Sequence, residues 1–186
     1  MKPVILALLF LPTPVLAQAS DAERRAKEIE AVCAKAHCRP ARTVRLRLAD
    51  GKTFERDVPR LPIITRDGLI TVFPGEEVHV EVSVAGGAVK SLRAVPKVTR
   101  PGSTVSFRLD QQPGRADAQL AVTNRLPQNL KYRVAMMLPT GGKLVPTSSC
   151  PVQPGLTAHE SWSQPIFQLV IRDLRFLPVD APLNCD

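Results

Sequence analysis

Short runs of alternating apolar and polar residues, cut apart by paired turn residues, leave this chain few ways to fold. In residues 77–84 (EVHVEVSV) the valines at 78, 80, 82 and 84 fall on one side of an extended strand. Glu77, His79 and Glu81 fall on the other, because successive side chains alternate between faces. Residues 43–48 repeat the pattern, with Val44, Leu46 and Leu48 opposed to Arg45 and Arg47. Further strands are expected over 52–58, 62–73 (folded about Asp67-Gly68), 88–95, 103–110, 118–124, 130–138, 157–163 and 166–177. Asp50-Gly51, Pro74-Gly75, Gly86-Gly87, Pro101-Gly102, Pro113-Gly114, Gly141-Gly142 and Pro154-Gly155 separate them. Each Asp-Gly pair predicts a two-residue type I′ hairpin turn, in which both central positions need φ > 0. Many short strands with such frequent turns predict an all-β, antiparallel sandwich or barrel.

One domain over 43–186 is expected rather than two units meeting near 96–102. Halves of about 60 and 85 residues would each have a thin core, and aromatic residues are only 4% of the chain. Pro-Gly before an alternating strand, in FPGEEVHVEV and RPGSTVSFRL, resembles the immunoglobulin-like sandwiches of exported proteins. The likeness implies an architecture and carries no function.

The first residues, MKPVILALLFLPTPVLAQAS, have a lysine, an apolar run to about Leu16, then small residues at Ala17 and Ala19. That is the pattern of a secretory leader over 1–19, cleaved after 17 or 19. The run is shorter than the roughly 20 apolar residues a membrane anchor needs and is broken by Pro12 and Pro14, so no membrane span is expected. A helix should follow over 20–36, capped by Ser20 with Glu23 three residues on. Its apolar stripe of Ala22, Ala26, Ile29, Cys33 and Ala36 is too small to dock firmly.

Export decides how the four cysteines are read. In an oxidising compartment an even number predicts disulfides. Cys33 and Cys38, in CAKAHC, would lie about 7.5 Å apart along a continuous helix and on different faces, whereas a disulfide needs Cα atoms within roughly 7 Å. A Cys33–Cys38 bridge therefore requires the helix to end near Cys33, giving a clamped segment over 20–38. Cys150 is expected to pair with Cys185. Zinc is disfavoured because metal sites draw spaced ligand pairs from two elements, and a redox role because the spacing is not C-x-x-C. A small disulfide ring would hold Lys35 and His37 outward at low ordering cost. The ring resembles, over these six residues alone, one in which a family of bacterial lysozyme inhibitors presents a histidine. The resemblance implies a partner-binding loop.

The formal net charge is +8, and 17 of the 25 basic residues are arginine. Arg39, Arg42, Arg45 and Arg47 form a row, with Lys52, Arg56 and Arg60 nearby. An exported chain with so few aromatic platforms is not expected to bind nucleic acid; an anionic envelope surface suits the charge better. Glu77, His79 and Glu81 are a weak candidate metal row, with no second histidine-rich segment to complete it. No G-x-S-x-G elbow is present, and His37, His79 and His159 have no recognisable partner spacing. The expected protein is an exported, periplasmic or secreted, non-catalytic binding or structural module of the envelope, without a cofactor. Its partner would be an envelope protein or an anionic surface. The alternative is an inhibitor that binds a cell-wall hydrolase through residues 33–38.

Overall fold

The computed structural model describes residues 15–186, with side chains from residue 21 onward; the leader expected over 1–19 falls largely outside them. The chain is mostly β, and all its strand pairs are antiparallel. Helix α1 (Val15–Cys33) is followed by β1 (Cys38–Arg39), β2 (Arg42–Arg47), β3 (Thr53–Val58), β4 (Leu61–Pro62) and β5 (Ile70–Val72). Then come β6 (Glu76–Ala85), β7 (Ala88–Val95), β8 (Thr104–Gln111), β9 (Ala118–Asn124) and β10 (Leu130–Met137). Strands β11 (Leu144–Thr147), β12 (Thr157–Trp162) and β13 (Gln168–Phe176) complete the series. Sheet orders are β12-β9-β8-β6-β7 and β11-β10-β13-β5, with β1-β4 and β2-β3 as separate two-stranded ribbons.

Both large sheets feed one core. Val78, Val80 and Val82 of β6 and Phe107 of β8 gather in the same cluster as Val134 of β10 and Ile171 of β13. Phe107 and Tyr132 meet edge to face across it, ring centroids 5.9 Å apart, a favoured aromatic geometry. The alternation expected for residues 43–48 produces a second, smaller core. Val44 and Leu46 are buried with Val58, Phe73 and Phe167, while Arg45 and Arg47 stay exposed. Arg56 lies over the Phe167 ring at 4.6 Å. This hairpin belongs to neither large sheet, although the sequence suggested one sandwich from residue 43 on.

Three local expectations are corrected. The Asp-Gly turns are not type I′: Gly51 has φ +84°, but Asp50 is not at positive φ. Leu48 N–H donates to Lys52 O at 2.7 Å, which closes a three-residue loop with only its last residue left-handed, the next most common hairpin solution. Residues 65–69 repeat it, Thr65 N–H donating to Leu69 O at 2.8 Å. Second, the hairpin over 62–73 shrinks to a single Ile64–Ile70 bridge, because β4 pairs with β1 and β5 with β13. Third, α1 begins at Val15, so Ser20 lies inside the helix and not at its N-cap. The sequence signals also missed β1 and β11, which are too short or too proline-bearing to show a period.

Candidate functional site

Helix α1 ends where the cysteine spacing requires. Ala34 and Ala36 N–H still donate to Glu30 and Val32 O, both at 2.9 Å, then the chain turns and Cys33 bonds to Cys38 with Cα atoms 5.5 Å apart. Residues 21–28 are exposed throughout; only Ile29, Val32 and Cys33 in the last turns are covered. The helix is therefore held to the sheets by its C-terminal end, as its alanine-rich stripe implies.

The residue that fixes that end is Arg39, immediately after the ring. It is 3% exposed. Its guanidinium donates to Glu76 Oε2 at 3.1 Å, to Thr71 Oγ1 at 2.9 Å and to Thr71 O at 2.5 Å, and it stacks over Phe73 at 4.7 Å. Burial pushes its pKa down, the Glu76 carboxylate pulls it back up, and Arg42 lowers it slightly. One guanidinium thus ties β1 to β5 and β6. Glu76 reaches it from a type II turn: Glu76 N–H donates to Phe73 O at 3.3 Å, with Gly75 at φ +75°, and Pro-Gly is the favoured central pair for that turn. The arginine row accordingly divides into Arg39, a buried anchor, and Arg45 and Arg47, which remain exposed.

Beside the anchored ring lies a groove of about 1050 Å³. One wall is the end of α1, with Ile29, Val32 and Ala36, and the ring residues Lys35 and His37. Pro62 and Ile64 line it too, and the opposite wall is β7. Four consecutive β7 residues, Ser91 to Ala94, contribute to that wall. Side chains in a strand alternate between faces, so four in succession mean that the strand's lateral edge borders the groove. β7 is the last strand of its sheet and pairs only with β6 among the described residues. Lys35 and His37 therefore share one concavity, whereas Arg45 and Arg47 line another with no residue in common.

The row of Glu77, His79 and Glu81 is not free to act together. Glu81, 4% exposed, is gripped by Arg93 and Arg100, which cover it on the polar side of β6. His79 Nδ1 lies 2.8 Å from Ser106 Oγ and 3.9 Å from Glu77. The hydrogen bonds from Arg100 and Arg93 hold the Glu81 carboxyl at about 2, well below its ordinary 4.5. A depressed carboxyl stabilises the fold above its unfolded pKa and loses that contribution as pH falls through the folded value. Thermal unfolding should therefore show declining stability between about pH 4.5 and 2, and Glu81→Gln should flatten the decline. An unchanged slope would mean that the two arginines do not hold Glu81 in solution.

A second polar cluster lies under the C-terminal bridge, where Cys150 bonds to Cys185. Lys131, 3% exposed, donates to Ser149 O at 2.6 Å and Asn184 O at 3.3 Å and meets Asp186 at 3.2 Å. Tyr132 Oη and Cys150 N–H both donate to Glu160 Oε1, at 2.7 and 3.0 Å, leaving Glu160 Oε2 without a partner. Burial raises the Glu160 pKa, and the Tyr132, Cys150 and Lys131 interactions oppose the rise. Lys131 and Ser149 O are the groups of this cluster that hold the tail.

No family matches the chain, and neither a curated protein nor a solved structure is significantly similar to it.

Proposed function

We propose that the protein is an exported, immunoglobulin-like β-sandwich that binds another envelope protein, and that it acts by recognition rather than catalysis. One observation carries the reading: the disulfide-anchored ring and the unpaired edge of β7 border the same groove. An unpaired edge offers a row of peptide N–H and C=O groups, which an extended segment of a partner can complete as a further strand. Ile29 and Val32 offer apolar contacts for alternate side chains of that segment, and Lys35 and His37 stand at the ring for its polar groups. Two disulfides suit an oxidising compartment, and among the described residues no helix is long and apolar enough to cross a membrane. The inhibitor reading uses the same groove, with a secreted hydrolase as the partner.

Retention from an envelope extract tests this. The protein should hold back a folded partner, Ile29→Glu should lose it, and Arg47→Glu, in the other cleft, should keep it. Amide exchange in residues 88–95 should slow when the partner is bound. Retention of peptidoglycan alone, or equal loss with both variants, would refute edge recognition.

A further inference from the structure

Arg42, Arg45 and Arg47 from β2 and Arg115 from the turn between β8 and β9 line a single cleft of about 430 Å³. Its one lining carboxylate, Asp110, is already taken by Arg108 at 2.6 Å. Four arginines therefore border one space whose only lining carboxylate is already paired, and Arg42 reaches a further carboxylate, Glu76, only at 3.9 Å. Like charges so arranged repel, and an anion between them relieves the repulsion.

The cleft is also built, not a chance meeting of long side chains. Gln111 clamps the Arg47 backbone from both sides, accepting from its N–H and donating to its C=O, each at 2.8 Å. The same amide donates to Ala116 O at 3.2 Å, so the hairpin and the turn carrying Arg115 are locked in register. Arg42 donates to Pro74 O at 2.6 Å. A Cβ at residue 75 would come within 3.2 Å of its Nη2, and Gly75 leaves that approach open. Arg45 and Arg115 each hold one carboxylate from outside the cleft, the exposed Glu55 at 2.8 Å and the partly covered Asp117 at 2.5 Å. The exposed Arg45–Glu55 pair contributes little. Arg47 has no carboxylate partner among the described residues.

We propose that this cleft binds a phosphate group, as a phosphomonoester or pyrophosphate. Guanidinium forks match phosphate oxygens in pairs, and a phosphate presents three strong acceptors carrying nearly two charges, which suits several arginines better than a single carboxylate does. The source is either the head group of an anionic lipid or glycolipid or a soluble phosphate compound. This site is independent of the groove at β7, and its test reads a different event.

Calorimetric titration with inorganic phosphate and with pyrophosphate, and co-sedimentation with phosphatidylcholine vesicles with and without phosphatidic acid, provide that test. Saturable binding is expected, about tenfold weaker in Arg47→Ala, the loss of one charged hydrogen-bonding partner. Arg175→Ala, which removes the same charge from an exposed position of β13 outside the cleft, should bind as the parent does. Sedimentation only with phosphatidic acid vesicles assigns the phosphate to a lipid head group; binding of the soluble ions alone assigns it to a free ligand. Equal weakening by both variants would mean diffuse charge attraction, and no binding in any arm would mean no site. Either result overturns the proposal.

Discussion

Arg39→Met should lower the free energy of unfolding by about 3–5 kcal/mol. Methionine keeps much of the side-chain volume over Phe73, so the loss reads the polar contacts. Removing the guanidinium leaves the Glu76 carboxylate, in a site largely closed to water, with Arg42 at 3.9 Å as its remaining cation, and leaves Thr71 O without its donor. Breaking a buried pair from one side is costly because the remaining charge stays desolvated. Arg39→Met with Glu76→Met should recover part of the loss, though not all, since Glu76 Oε1 also accepts from Phe73 N–H at 2.8 Å and steadies the type II turn. Urea unfolding of the two variants measures this. A loss below about 1 kcal/mol for the single change would place Arg39 among ordinary surface arginines. The functional consequence follows from position. Arg39 is the residue after Cys38, and its anchor sets where the ring stands against β4 and β7, so the variant should also weaken partner retention before it unfolds.

That anchor shows where reading the sequence stops. Residues 43–48 and 77–82 declare their faces because the period of two is local: Val44, Leu46, Val78, Val80 and Val82 are buried as the alternation names them, whereas Val84, past the end of the pairing with β8, is exposed. Cys33 and Cys38 declare their bridge because five residues of chain can close only if the helix stops. Arg39 declares nothing: it stands in a row with Arg42, Arg45 and Arg47, and what sets it apart is burial against Thr71, Phe73 and Glu76, all more than 30 residues further along. Glu81 misleads in the same way. Alternation puts it on the solvent side of β6, and Arg93 and Arg100 then close over it.

The candidate site was half legible. Lys35 and His37 could be named from the ring alone, yet the opposing wall could not, because residues 88–95 look alike as a central or an edge strand. Whether β7 has a free edge depends on sheet order, which is set by long-range pairing between β6 and β8 and not by any local signal. The cleft at Arg47 depends likewise on Gln111, 64 residues further along.

Replacing both Cys150 and Cys185 with serine should cost more than removing the helix bridge. In the chain-entropy account a bridge stabilises by restricting the unfolded chain, and more so as the closed loop lengthens. The Cys150–Cys185 loop, with a separation of 35, should contribute about 4 kcal/mol, and the Cys33–Cys38 ring, with a separation of 5, about 2. For a domain of this size about 4 kcal/mol corresponds to a fall of roughly 10 °C in Tm. A second loss adds to the first. The bridge holds the tail whose Asn184 O and Asp186 carboxylate satisfy the Lys131 ammonium. With the tail released, Lys131 keeps Ser149 O as a partner while its charge stays among buried groups, a poor exchange for an ion. Lys131→Met in the serine background should therefore recover stability, whereas the same change in the bridged protein should lose it. The sign reversal is the decisive readout. If Lys131→Met destabilises both backgrounds equally, the tail and the lysine are not coupled, and loop entropy alone must account for whatever the bridge contributes.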